Sequence, residues 1–115
     1  MKTSELNGAA LDWAVAHCIE KGFAKFVAAG YRFCPSTDWS QGGPIIEREM
    51  SQGMSIGFYP DERQFQAIKH PAGRYDLVTC GAYGPTPLIA AMRCYVASKL
   101  GDEVTIPDEL MEQTP

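Results

Sequence analysis

The sequence has no C-x-x-C pair, although it contains four cysteines, at positions 18, 34, 80 and 94. That spacing excludes the common zinc ligand sets and thioredoxin-like motifs, so no metal is expected and the thiols are expected to be reduced. Histidine is scarce, with only His17 and His70, and no Ser, Cys or metal-ligand arrangement typical of hydrolases is present. Asp38, Glu47, His17, His70 and the cysteines are the available acids, bases and nucleophiles, but they form no reaction motif. Neither enzyme activity nor a catalytic residue or cofactor is therefore expected.

A basic run is also missing. With a formal charge of −4, the chain lacks the Lys and Arg density that displaces counterions from a phosphate backbone, so direct nucleic-acid binding is not expected. The acids Asp102, Glu103, Asp108, Glu109 and Glu112 gather near the end, where they solvate a tail. Met1-Lys2-Thr3-Ser4-Glu5 is not followed by the apolar run of a signal peptide, and no apolar segment is long enough to span a bilayer. A cytoplasmic protein with no membrane partner is expected. Internal repeats, low-complexity tracts and linkers are absent.

What remains is the material of one domain. A chain of 115 residues, 45% hydrophobic and 21% charged, can bury roughly two-thirds of the surface it exposes when unfolded. The expected organisation is a single domain over 1–107 followed by a loose acidic tail over 108–115. Lys2 to Leu6 reads as a short strand or extended lead-in, and Asn7 caps a helix running to about Glu20, with Gly22 as its stop. Leu11, Val15, Cys18 and Ile19 form the core stripe of that helix. Trp13 and His17 share another face and can line a pocket, although the simpler reading, preferred on sequence alone, has a strand covering Trp13 and solvent meeting His17.

The β-formers of Phe23 to Phe33 predict a strand or two short strands broken at Gly30. Further strands are predicted at Ile56–Tyr59, Phe65–Lys69 and Tyr75–Cys80, with turns at Pro60–Arg63 and His70–Gly73. Thr86 and Pro87 begin a helix that ends at Leu100-Gly101, with Lys99 near the negative end of its dipole. Leu88, Ile89, Met92, Tyr95, Val96 and Leu100 form its large face, and Ala90, Ala91, Cys94, Ala97 and Ser98 its small one. Such a helix is buried on two sides, the favoured reading, or packs on a second subunit. Asp102 to Pro107 reads as an edge strand with Val104 and Ile106 inward. The fold class is α+β: a small, mostly antiparallel sheet packed with an N-terminal helix and a long C-terminal helix.

The segment Ser36-Thr37-Asp38-Trp39-Ser40-Gln41-Gly42-Gly43-Pro44-Ile45-Ile46-Glu47-Arg48 is the candidate site. Ser36, Thr37 or Asp38 can cap a short helical turn beginning near Trp39, which Gly42-Gly43 ends before Pro44 opens another short helix. Ile45 and Ile46 then point inward, while Glu47, Arg48 and Glu49 stay near the surface. Two glycines and a proline without a lysine do not make a phosphate loop. Trp39 offers a stacking face, Gln41 a donor and an acceptor, Gly42 and Gly43 close backbone approach, and Arg48 or Arg93 a partner for phosphate or carboxylate. Asp38 either bonds sugar hydroxyls or caps the turn.

Together with Gly-Pro-Thr-Pro-Leu-Ile-Ala-Ala-Met-Arg-Cys-Tyr-Val-Ala-Ser-Lys-Leu-Gly-Asp-Glu-Val at 84 to 104 and Leu6-x-Gly8-x-x-Leu11-Asp12-x-Ala14-Val15-Ala16, this segment resembles the NinX family of phage and prophage proteins. The resemblance covers nearly the whole chain and implies a small phage accessory protein in the cytoplasm of a bacterial host. It implies no reaction and no catalytic residues. The expected function is non-catalytic binding of a small polar ligand, a nucleotide-derived host defence signal being the phage-specific version. The alternative is an interaction module acting on a host or phage replication or recombination protein. A homodimer or higher homo-oligomer stays open, because binders of this kind often build pockets between subunits.

Overall fold

The computed structural model describes residues 1–71, 74, 76–107 and 110. The elements run α1 Gly8–Ile19, α2 Lys21–Ala28, α3 Trp39–Ser51, β1 Met54–Tyr59, β2 Gln64–Lys69, β3 Cys80–Gly84 and α4 Pro87–Leu100, with a 3-10 turn at Thr3–Glu5 before them. The fold is α+β, as the sequence predicts. The three strands form an antiparallel sheet in the order β1-β2-β3, with Ile56 opposite Ala67 and Ala67 opposite Ala82 at its centre. No helix among the described residues is long and apolar enough to cross a membrane.

The well-punctuated helices form where expected. Asn7 caps α1 by accepting from the Gly8 N–H, and Thr86 caps α4 by accepting from the Ile89 N–H at 3.1 Å. Gly101 ends α4 with φ of 84°, a conformation that L side chains rarely adopt. Both faces of α4 are buried in its own chain, since Leu88, Met92 and Val96 are as enclosed as Ala90, Ala91 and Cys94. Gly84 lets the end of β3 approach α4, because a Cβ there would stand 2.6 Å from the Ala90 nitrogen.

Several expectations are corrected. The residues 23–33 form no strand: Lys21–Ala28 is helical, Ala24 and Val27 make its buried face, and the chain stops α1 at an extended Glu20 rather than at Gly22. Ala24 and Val27 pack on Ala16 at helical spacing with Phe23 partly buried beside them, and this burial overrides the β propensity of the segment, while Phe26 and Tyr31 stay exposed. The predicted pair of short helices around Gly42-Gly43-Pro44 is one continuous helix, α3. Pro44 leaves the Ser40 carbonyl without its i+4 donor, a loss softened because Ser40 is exposed to water.

The third strand begins at Cys80 instead of ending there. Asp102 to Pro107 adds no strand to the sheet. Glu103 instead makes an isolated bridge to Lys2, and the Met1 ammonium and the Val104 carbonyl meet at 3.0 Å. Val104 and Ile106 do point inward. The lead-in Lys2 to Leu6 is extended only at its ends, around the 3-10 turn. Of the expected turn at 70–73, Ala72 and Gly73 lie outside the described residues, as does the tail of 108–115 except Leu110, which is buried against the core.

Candidate functional site

The segment 36–48 is held in place by its own polar groups. The Ser36 N–H donates to the buried Asp12 carboxylate at 3.0 Å, and the Cys34 N–H donates to Gln41 Oε1 at 2.6 Å. Asp38 caps α3 by accepting from both the N–H and the hydroxyl of Ser40, which hold its carboxyl below the usual range. Gly42 is buried where a Cβ would overlap the Pro35 carbonyl and stand 2.6 Å from Leu88. Gly43 packs beside the Trp39 ring, 3.9 Å away from where its Cβ would be. Thus Asp38, Gln41 and Gly42 are occupied by the chain itself, and Trp39, 56% exposed, is the ring left facing outward.

The two arginines do not converge. Arg48 reaches α4 from α3, with Nη2 donating to the Tyr95 hydroxyl at 3.3 Å and its guanidinium 5.8 Å from the Tyr95 ring centroid. Arg93 donates instead to the Leu6 carbonyl at 2.8 Å and the Tyr83 carbonyl at 2.9 Å, tying the N-terminal segment to β3. Residues two apart on a helix do not share a face, so Tyr95 and Arg93 serve different sides of α4. Burial draws the Arg93 pKa down.

Glu49, expected near the surface, is 1% exposed and accepts from Lys69 Nζ at 2.7 Å, with Arg48 Nε 3.7 Å away. Its neighbours explain the difference: α3 turns this side toward β2, where Lys69 on the inner face supplies the counter-charge. Burial pushes the Cys94 thiol up to about 12 and Cys18 to about 11, so neither is a thiolate at neutral pH. Among the described residues, no three His, Cys, Asp or Glu side chains stand together as a metal would require.

A ready cleft lies elsewhere, between α1 and α2. Trp13 and His17, four residues apart on α1, stack with centroids 5.2 Å apart and planes 21° from parallel. Opposite them, Lys21, Ala24, Lys25 and Ala28 recur at 3.6-residue spacing on α2, so the alanines form a floor and the lysines a rim. Pro107 closes one end, and the cleft measures about 710 Å³, against 380 Å³ or less for four other concavities. An adjoining hollow of about 290 Å³ shares Trp13 and His17 and is bordered by Leu100, Glu103, Val104 and Thr105. The larger volume suits a small molecule of nucleotide size.

The shared face of Trp13 and His17 is legible in the sequence, but the preferred reading of it is corrected: a helix, α2, and not a strand stands opposite Trp13, and the strand predicted from Phe23 hides the register that aligns Lys21 with Lys25. None of the residues 36–48 lines this cleft.

A comparison with curated proteins finds no match. The family described as bacteriophage P22, NinX matches residues 2–99, a span that includes the cleft helices, all of α3, the sheet and nearly all of α4. The chain belongs to the NinX family of phage proteins.

Proposed function

We propose that this phage protein is a non-catalytic accessory factor that binds a small anionic, aromatic ligand, of the nucleotide class, in the cleft between α1 and α2. The observation that carries the reading is the stacked Trp13 and His17 facing Lys21 and Lys25 across about 710 Å³. A base extends the stack of indole and imidazole, and the two ammonium groups meet phosphate, a division of labour that suits sequestration of a nucleotide-derived host signal. Nothing in it requires a nucleophile.

Titration calorimetry against a panel of nucleotides and cyclic nucleotides tests the proposal. Base stacking contributes about 1–3 kcal/mol, so Trp13→Ala is expected to weaken binding about 5- to 150-fold, whereas Trp39→Ala leaves it unchanged. Reversing Lys21 and Lys25 to Glu is expected to abolish binding and its salt dependence together. If every nucleotide binds more weakly than about 1 mM, the ligand reading fails.

A second reading rests on Trp39, more than half exposed at the first turn of α3. An outward ring of this kind suits docking on a host or phage replication or recombination protein. In that case a pull-down returns one stoichiometric partner, and Trp39→Ala loses it.

A further inference from the structure

A strand at the edge of a sheet leaves one row of backbone N–H and C=O groups unpaired, and proteins guard such edges with charge, proline or a covering segment. The two edges here are treated differently. On β3, Arg93 stations its guanidinium at the Tyr83 carbonyl, and Lys2, Thr3 and Ser4 share a hollow with Gly81 and Ala82. On β1, Met54-Ser55-Ile56-Gly57-Phe58-Tyr59 contains no charged residue and no proline. Among the described residues no strand pairs with its outer side. Phe58 is 52% exposed and Tyr59 44% exposed on this bare edge.

We propose that β1 is a homodimer interface, pairing antiparallel with β1 of a second copy to make a continuous six-stranded sheet. The sequence of the strand selects itself as occupant. Alternation puts Ile56 and Phe58 on the face shared with α4, and Ser55, Gly57 and Tyr59 on the other. A twofold axis through Gly57, normal to the sheet, sets Phe58 against the partner's Ile56 and Tyr59 against the partner's Ser55. Apolar then meets apolar, and the large Tyr59 ring meets a small serine.

Gly57 at the axis opposes itself, so the two copies of this one position face each other across the seam. The strand's neutrality also matters on a chain of net charge −4, because the contact brings no like charges face to face. A partner of other sequence has no comparable reason to match this alternation. The inference is independent of the cleft, which lies on helices away from β1.

Sedimentation of the full chain over a concentration series is expected to show a monomer–dimer equilibrium. Phe58→Lys, at an exposed position, should weaken it about 30-fold while leaving the circular dichroism spectrum and melting temperature near those of the parent. Because the axis passes through position 57, Gly57→Cys treated with oxidised glutathione should give a disulfide-linked dimer faster than both the parent and Gln66→Cys, which sits on the central strand. A chain that stays monomeric at every concentration overturns the proposal. So does a dimer indifferent to Phe58→Lys, or one that crosslinks better at 66 than at 57.

Discussion

Buried polar groups and tight glycines put the sharpest constraints on single residues. Gly42 has no room for a methyl group, since one side is the Pro35 backbone and the other Leu88. Gly42→Ala is therefore expected to lower stability by about 1–3 kcal/mol in urea denaturation despite the better helix propensity of alanine, and Gly43→Ala, in ordinary contact, to raise it slightly. Lys69→Met leaves the Glu49 carboxylate enclosed with Arg48 as its nearest cation, and a loss of about 3–5 kcal/mol is expected. Asp12 carries a different signature. Burial, opposed by the hydrogen bond from the Ser36 N–H, raises its pKa above the ordinary 3.8. Its contribution to stability is thus full below that value and declines as pH rises through the higher folded value. Asp12→Asn keeps an acceptor for the Ser36 N–H, so the stability of the parent should fall relative to this variant as pH increases from about 4, in denaturation curves across the series.

Among the elements, those with explicit local punctuation were legible. Asn7 before α1 and Thr86-Pro87 with Gly101 around α4 each satisfy the exposed groups of a helix end, so sequence and structure agree there. The failures at α2 and α3 share a cause: local preference is outvoted by burial. In α3 two glycines and a proline oppose helix by roughly 5 kcal/mol relative to alanine, yet Gly42 against Leu88 and the inward Ile45 and Ile46 hold the turn sequence in one helix. In α2 the aromatic and branched residues look like a strand until their three- and four-residue spacing is matched to the surface of α1. The turn read at 36–48 is likewise drawn into regular structure, since Asp38, Gln41 and Gly42 build the entry to a helix. Pro44 is the conflict most easily removed. Pro44→Ala restores the bond to the Ser40 carbonyl at an exposed position and should raise the melting temperature, with a gain of about 1–3 kcal/mol.

At the scale of the molecule, a sheet with one covered face, a helix pair flanking a cleft and a connecting α3 divide the chain into regions with separate cores. The inner face of β1, β2 and β3 meets α4 to form the main core, while Ala16, Ala24 and Val27 make a smaller one beneath the cleft. That separation predicts that charge reversal at Lys21 and Lys25, both exposed, leaves the midpoint of global unfolding within about 0.5 kcal/mol of the parent, even where ligand binding is lost. The same plan distributes the two indoles unequally. Trp13 lies in the cleft against an imidazole, and Trp39 stands largely in water. Intrinsic emission is consequently a sum of two colours: a shielded component from Trp13 and a red-shifted one from Trp39, open to iodide quenching. With Trp39→Phe the molecule becomes its own single-channel optical gauge, reporting whatever enters beside Trp13 without a dye.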